Sequence, residues 1–264
     1  LDYFFFHHRL KTKTRSHLSF VDAMKDPTKR KHLAELAERY QKKTRSEFDT
    51  PEAFLKAQYK AFQLYYGTVN QFHPMVAKWV YLRFKPKHGI LDFSAGWGGR
   101  LLAAMSLGIP YTGIDANTTL EASYRRMVRT LEPDLPPHQV QLFFQPSETV
   151  DFSRFTYDLI FTSPPYFMLE EYEKMPTYES KANFLERFFI PVTLSAWKHL
   201  RRGGHMALNM PEEMFEAIKE HLPKTKERIK MPLSNRHPGN ASKGQRLGAE
   251  NTERHEMIYV WVKK

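Results

Sequence analysis

Gly89-Ile90-Leu91-Asp92-Phe93-Ser94-Ala95-Gly96-Trp97-Gly98-Gly99-Arg100, followed by Tyr111-Thr112-Gly113-Ile114-Asp115, is the stretch that decides the fold. Gly89 to Phe93 is a short apolar run and reads as a buried strand. Ser94 to Gly99 is too rich in glycine to extend either a strand or a helix, so it is a turn. Arg100 to Leu107 has helical spacing and stops at Gly108, and Tyr111 to Asp115 reads as the next strand. Strand, turn, helix and strand within about 25 residues make a βαβ unit, the crossover that a parallel pair requires.

The same alternation continues outward. A helix is expected from about Leu120 to Leu131, then a loop marked by Pro133, Pro136 and Pro137, then strands at Val140–Phe144 and Tyr157–Phe161. Lys181 to Leu200 is helical and ends at Arg201-Arg202-Gly203-Gly204. His205–Asn209 is a strand, Glu212–His221 a helix, and His255–Val262 a closing strand. This order predicts an α/β fold, a doubly wound, mostly parallel seven-stranded Rossmann-like sheet with its ligand site at the strand C-termini.

Upstream the texture differs. Residues 1–50 read as basic helix, with Leu33, Leu36, Ala37 and Tyr40 at helical spacing. Thr50-Pro51-Glu52 is a helix start, and the helix it opens runs to about Tyr66 and ends at Gly67. The expected division is therefore 1–68, a basic helical extension, and 69–264, the sheet domain. Residues 223–253 hold Gly, Pro and many cations and read as a basic loop or hairpin insertion.

Composition narrows the chemistry. The 264 residues hold 40 Lys and Arg against 29 Asp and Glu, a net charge of +11, which favours a polyanionic partner such as nucleic acid. No cysteine is present, which excludes disulfides, thiolate zinc sites and cysteine nucleophiles. No metal is expected. No apolar run approaches the roughly 20 residues of a membrane helix. Leu1–Phe6 is apolar but runs straight into His7-His8-Arg9, the reverse of signal-peptide order. An intracellular protein without membrane contact is expected.

Two turns carry candidate chemistry. The first has glycines at 96, 98 and 99, a G-x-G-G spacing that disfavours the dinucleotide motif. Asp115 ends the second strand 17 residues beyond Gly98, where an acid accepts hydrogen bonds from ribose hydroxyls. The second is Thr162-Ser163-Pro164-Pro165-Tyr166-Phe167, directly after an apolar strand. Two prolines cannot donate to a ladder, so the chain must leave the sheet here.

Together these motifs resemble the S-adenosylmethionine-dependent amino-methyltransferases of DNA, which methylate the exocyclic nitrogen of cytosine or adenine. The resemblance covers about residues 70–210 and includes Gln71-Phe72-His73-Pro74, which looks like the segment covering the methionine end of the cofactor. It implies a methyltransferase sheet with S-adenosylmethionine as cofactor. Phe72, Asp92, Ser94, Ala95, Gly96, Gly98, Asp115, Ser147 and Thr162 are then its contacts. It also implies that Ser163, Pro164, Pro165 and Tyr166 are catalytic. The Ser163 hydroxyl and the Pro164 carbonyl would accept the N–H bonds of an amine, and Tyr166 would stack on an extruded base. Serine ahead of Pro-Pro leans toward cytosine N4 over adenine N6.

The chain departs from the family pattern at Ser94, where Phe is common, and at Gln145-Pro146-Ser147-Glu148, where a Gly-Asp type acid is usual. An RNA or protein-glutamine methyltransferase of the same fold, or a catalytically silent nucleic-acid-binding subunit, are the alternatives.

The expected partner is DNA, duplex or single-stranded. Of three basic stretches, residues 7–17, 219–230 and 235–246, the third mixes cations with Asn and Gln. Arg236, Lys243 and Arg246 are its candidate nucleic-acid contacts. The second stretch reads as a solvated helix face.

Overall fold

A computed structural model describes residues 1–14, 16–44, 50–134, 139–166, 177–232 and 255–264. Among these residues five helices precede the sheet: α1 (Asp2–Lys11), α2 (Phe20–Lys25), α3 (Pro27–Thr44), α4 (Pro51–Tyr66) and α5 (Pro74–Phe84). Then follow β1 (Ile90–Asp92), α6 (Gly99–Met105), β2 (Tyr111–Ile114), α7 (Glu121–Leu131), β3 (Val140–Phe143) and β4 (Leu159–Thr162). The chain closes with α8 (Lys181–Phe184), α9 (Ile190–His199), β5 (His205–Asn209), α10 (Glu212–Ile218), β6 (Glu227–Pro232) and β7 (His255–Val262).

The sheet has seven strands in the order β3-β2-β1-β4-β5-β7-β6. The first five are parallel, and β7 runs antiparallel between β5 and β6. This is the mostly parallel, doubly wound sheet expected from the sequence. The order reverses between β1 and β4, which places the topological switch point, and the crevice it opens, at the C-terminal ends of those two strands.

The apolar runs make this sheet because both its faces are covered. Side chains alternate across a strand, so a fully apolar strand feeds two cores. Ile90, Leu159, Phe161, Ala207, Ile258 and Val260 enter one cluster with α1, α5, α6 and α7. Leu91, Phe93, Ile160, Met206, Leu208, Tyr259 and Trp261 enter the other with α9 and α10.

The helix expected over 181–200 is interrupted by a π-helical segment, Leu185–Phe189, just before Pro191. Proline has no N–H for the carbonyl one turn back, and the wider π turn accommodates that loss.

The extension does not pack as one piece. Phe20, Ala23, Leu33, Ala61 and Phe62 form a small core for α2, α3 and α4. Phe4 and Phe5 of α1 instead belong to the first cluster of the sheet. Thr50 caps α4 through its side chain, 3.1 Å from the Ala53 N–H, with Pro51 in the first turn, as expected.

One expectation is corrected. The basic stretch 219–230 is not a solvated helix: Lys219–His221 makes a single 3₁₀ turn, and the chain enters β6 at Glu227. Arg228 of that stretch bridges α10 and β7. Arg228 lies 4.3 Å from the Phe215 ring centroid and 5.5 Å from that of Tyr259, and it donates to Glu212 at 3.2 Å. Ile229 packs on the first core. Part of the 223–253 insertion is thus an edge strand.

Candidate active site

Gly96 and Gly98 hold φ of +62° and +73°, the left-handed region that suits glycine. Close approach adds a second reason at Gly98 and the main one at Gly99. A Cβ on Gly98 would sit 3.0 Å from the Phe5 ring, and one on Gly99 would sit 2.2 Å from the Phe72 carbonyl oxygen. Beside Gly96 the nearest atom to such a Cβ is 3.8 Å away, so this side of the turn is open.

Gly96 is held through both of its backbone polar groups. Its N–H donates to Asp115 Oδ2 at 2.7 Å, and its carbonyl accepts from the Tyr124 hydroxyl at 2.9 Å. Asp115 Oδ1 accepts from the Asn117 N–H at 2.9 Å. Ala95 N–H donates to Ile114 O at 2.9 Å, which ties the turn to the end of β2. Desolvation pushes the Asp115 carboxyl up to about 6 despite its two backbone N–H bonds. Burial also raises the Tyr124 and Tyr111 phenols well above their ordinary value, keeping both as donors.

Asp92, at the end of β1, lies beneath the glycine turn. It is fully buried. Its Oδ2 accepts from Arg100 Nε at 2.7 Å and the Tyr111 hydroxyl at 2.6 Å. Its Oδ1 accepts from Arg100 Nη2 and the Ser94 N–H, both at 3.3 Å. A carboxylate offers about four acceptor positions, and four donors take them here. Its carboxylate braces the turn from inside. Arg100 also donates to the Ser94 carbonyl. Burial by itself would lower the Arg100 guanidinium, but the Asp92 charge more than offsets this and holds it above its ordinary value.

Phe72 covers the turn. Its carbonyl lies against Gly99, its ring packs edge-on to Phe161 at 5.5 Å, and the Arg100 guanidinium sits 5.0 Å from its centroid. His73 Nδ1 accepts from the Met75 N–H at 3.2 Å and, with Pro74, starts α5. Ser147, after β3, spends its hydroxyl on the Phe93 carbonyl at 2.6 Å, so it ties this loop to the end of β1.

On the other side of the switch point, β4 ends at Thr162 and the chain leaves the sheet through Ser163-Pro164-Pro165-Tyr166. Leu91 of β1 pairs with Ile160 of β4, and Asp92 with Gly113 of β2. Adjacent strands lie about 4.8 Å apart, so the glycine turn, Asp115 and the Ser163 turn emerge side by side. Thr162 is fully buried, and its hydroxyl has no hydrogen-bond partner among the described residues.

The Ser163 hydroxyl donates to Asn209 Oδ1 at 3.1 Å, and the Tyr166 hydroxyl reaches the same oxygen at 3.2 Å. Asn209 Nδ2 donates to the Met257 carbonyl at 3.2 Å. Sequence reasoning missed Asn209; the available signal was a polar residue ending an apolar strand. Phe167 and the acidic run Glu170-Glu171-Tyr172-Glu173 lie outside the described residues, as do Arg236, Lys243 and Arg246.

Two cavities among the described residues lie away from Ser163 and Asp115. One, about 580 Å³, lies outside the Phe72 segment among Leu1, Arg9, Gln71, His73, Met75 and Leu102. The other, about 320 Å³, is at the N-terminal end of the strands among Lys85, Lys87, Asp158, Arg201 and Arg202. The strand ends, where polar groups converge, are the better candidate site. Among the described residues no group of three or more His, Asp or Glu is placed to hold a metal ion. Among them, too, no helix is long and apolar enough to cross a membrane.

No family model matches the chain, and no curated protein matches it in sequence. Among solved structures it is similar to a modification subunit of a putative type I restriction enzyme from Vibrio vulnificus, at 15% identity and a TM-score of 0.49. That match covers 82% of this chain and 51% of the other. It is similar to a methyltransferase from Pyrococcus furiosus at 18% identity and a TM-score of 0.45, covering 81% and 98% of the two chains. A third likeness is to the tRNA (uracil-54, C5)-methyltransferase of Pyrococcus abyssi in complex with S-adenosyl-L-homocysteine. There the identity is 13%, the TM-score 0.41, and the cover 70% of this chain and 37% of that one. The chain thus spans 51% and 37% of the first and third of these proteins. With every one of these TM-scores below 0.5, the fold class rests on the strand order of the sheet.

Proposed function

We propose that this chain is an S-adenosylmethionine-dependent methyltransferase acting on the exocyclic amino nitrogen of a base in DNA, cytosine N4 in preference to adenine N6. One observation carries the proposal: a Ser-Pro-Pro-Tyr turn leaves β4 beside a glycine turn held by a strand-end acid, across the switch point of the sheet. The residues fit the cofactor. Gly96 borders open space, and Asp115 is held in place by two backbone N–H groups at the position from which an acid accepts ribose hydroxyls. Phe72, Ser94, Ala95 and Gly98 line or cover the same turn. Ser147 and Asp92 support it from behind.

S-adenosylmethionine, when bound there, supplies an electrophilic methyl group on a sulfonium. The amine is a poor nucleophile because its lone pair is delocalised into the base. Ser163 Oγ and the Pro164 carbonyl accept its two N–H bonds and draw the lone pair out of the ring plane. The nitrogen then bonds the methyl carbon as the carbon–sulfur bond breaks, a neutral thioether leaves, and one proton passes from the nitrogen to water. Pro164 and Pro165 fix the carbonyl direction in advance, and Tyr166 offers a ring to stack on the extruded base. The net charge of +11 favours a nucleic-acid substrate.

The test is incubation with labelled S-adenosylmethionine and, separately, duplex DNA, single-stranded DNA and RNA, followed by nucleoside mass spectrometry. N4-methylcytosine in DNA is the expected product. Label found only in RNA, or no methylated amine on any base, overturns the proposal. We also assign the nucleic-acid backbone to Arg236, Lys243 and Arg246. Changing all three to Gln lowers DNA affinity and reduces the slope of log affinity against log salt by about one for each phosphate no longer neutralised. An unchanged slope removes this segment from the interface.

A further inference from the structure

Two hydroxyls of the proposed catalytic turn end on a residue that the methyl-transfer step does not use. Asn209 closes β5, is 2% exposed, and is paired through its backbone with Ile258 of β7. Its amide orientation is determined by its surroundings. The Met257 carbonyl can only accept, so Nδ2 must face it and Oδ1 must face the turn. An amide oxygen can only accept as well, so the protons of Ser163 and Tyr166 must both point at Asn209. A serine hydroxyl has one proton and two lone pairs. With its proton committed to Asn209, both lone pairs of Ser163 are left for other donors.

We propose that Asn209 is a positioning residue: it holds the Ser163 hydroxyl as an acceptor for the substrate amine and fixes Tyr166 through its phenol. It touches neither the substrate nor the cofactor. Without it the Ser163 rotor can turn its proton toward the amine lone pair and block the attack that the lone pair must make. Its place at the end of a central strand, anchored to the neighbouring strand, gives it the rigidity such a role needs. The catalytic part of this inference rests on the amino-methyltransferase reading, whereas the orientation of the two hydroxyls does not.

The experiment uses the full chain and a DNA shown to be a substrate of the native protein. Single-turnover methyl transfer by Asn209→Ala is expected to fall about 100-fold, the scale on which lost alignment acts. Affinity for S-adenosylmethionine by calorimetry is expected to stay at the native value. Residues that act as a unit are not additive. The Asn209→Ala loss therefore shrinks to less than about 5-fold in a Ser163→Ala background. An equal loss in both backgrounds overturns the proposal.

Asn209→Asp keeps the shape should the alanine variant fail to fold. Its protonated carboxyl supplies the same acceptor and donor, while its ionised form sets an anion against the Met257 carbonyl. Its rate relative to native is therefore highest at low pH and falls as pH rises; a flat ratio overturns the proposal. If the native chain methylates nothing, the functional reading fails and the catalytic role of Asn209 with it, and a neutron structure of the native protein decides the orientation. A Ser163 deuteron directed at Asn209 Oδ1 sustains the orientation and one directed elsewhere overturns it.

Discussion

The two turns on either side of the switch point are held in different ways. The glycine turn is embedded in a closed polar network. Asp92 binds Arg100, Tyr111 and the Ser94 N–H, and Asp115 and Tyr124 hold Gly96 through its N–H and its carbonyl. Among the described residues, the Ser163 turn converges on one side chain, Asn209. Two hydroxyls share one amide oxygen at 3.1 and 3.2 Å, and the buried Thr162 hydroxyl just before them has no partner among the described residues. The difference teaches where rigidity is built in. A cofactor of one shape suits a preformed cradle, whereas a base that enters and leaves suits a turn whose acceptors are aimed in advance. On this view, damage to the first turn reads out as stability and cofactor affinity, and damage to the second as rate.

The largest expected effect breaks the first network. Asp92→Ala leaves Arg100 charged and unpaired in the core and is expected to cost about 3–5 kcal/mol of stability. Chemical denaturation measures it. A loss under about 1 kcal/mol would show that the pair is not holding the turn. Ser163→Ala comes next and falls on the other side. Methyl transfer is expected to drop about 100-fold, with denaturation midpoint and cofactor affinity unchanged. A matching loss of cofactor affinity would erase the distinction between the two turns.

A pH titration sharpens the contrast. Asp115 titrates near 6 in the folded chain, above the ordinary 3.8. Only its ionised form accepts two ribose hydroxyls, so cofactor affinity is expected to weaken about tenfold for each pH unit below that value. Stability moves the opposite way. The folded carboxyl takes up its proton before the unfolded one does, so between about pH 6 and 4 acidification favours the fold at this site. Asp115→Asn is expected to flatten the affinity profile; a profile that persists in that variant assigns the titration elsewhere.

The smallest effect tests the other half of the clamp. Tyr124→Phe removes the bond to the Gly96 carbonyl and is expected to cost about 1 kcal/mol, seen as several-fold weaker cofactor binding at unchanged rate.

Much of this architecture is legible in the chain. The βαβ unit, the strand ends and both turns follow from apolar runs punctuated by Gly and Pro, and the structure puts elements at those places. The basic stretch at 219–230 misled as to its backbone: its cations within β6 are exposed, but they alternate along an edge strand whose Ile229 packs on the core, not along a helix face. The partners of Asp92 are not legible from its position in the motif. Tyr111, which takes up one of its oxygens, is 19 residues away.

Local chemistry therefore determined the strands and turns. Glycine permits left-handed backbone, two prolines end a ladder, and apolar runs of strand length bury both faces. Tertiary structure alone decided which polar groups meet. Ser163 finds Asn209 across 46 residues, Ser147 finds the Phe93 carbonyl across 54, and Phe5 of the first helix packs against Gly98. Such pairings depend on which strand ends the sheet order brings together, and no local pattern of apolar, glycine and proline residues encodes that order.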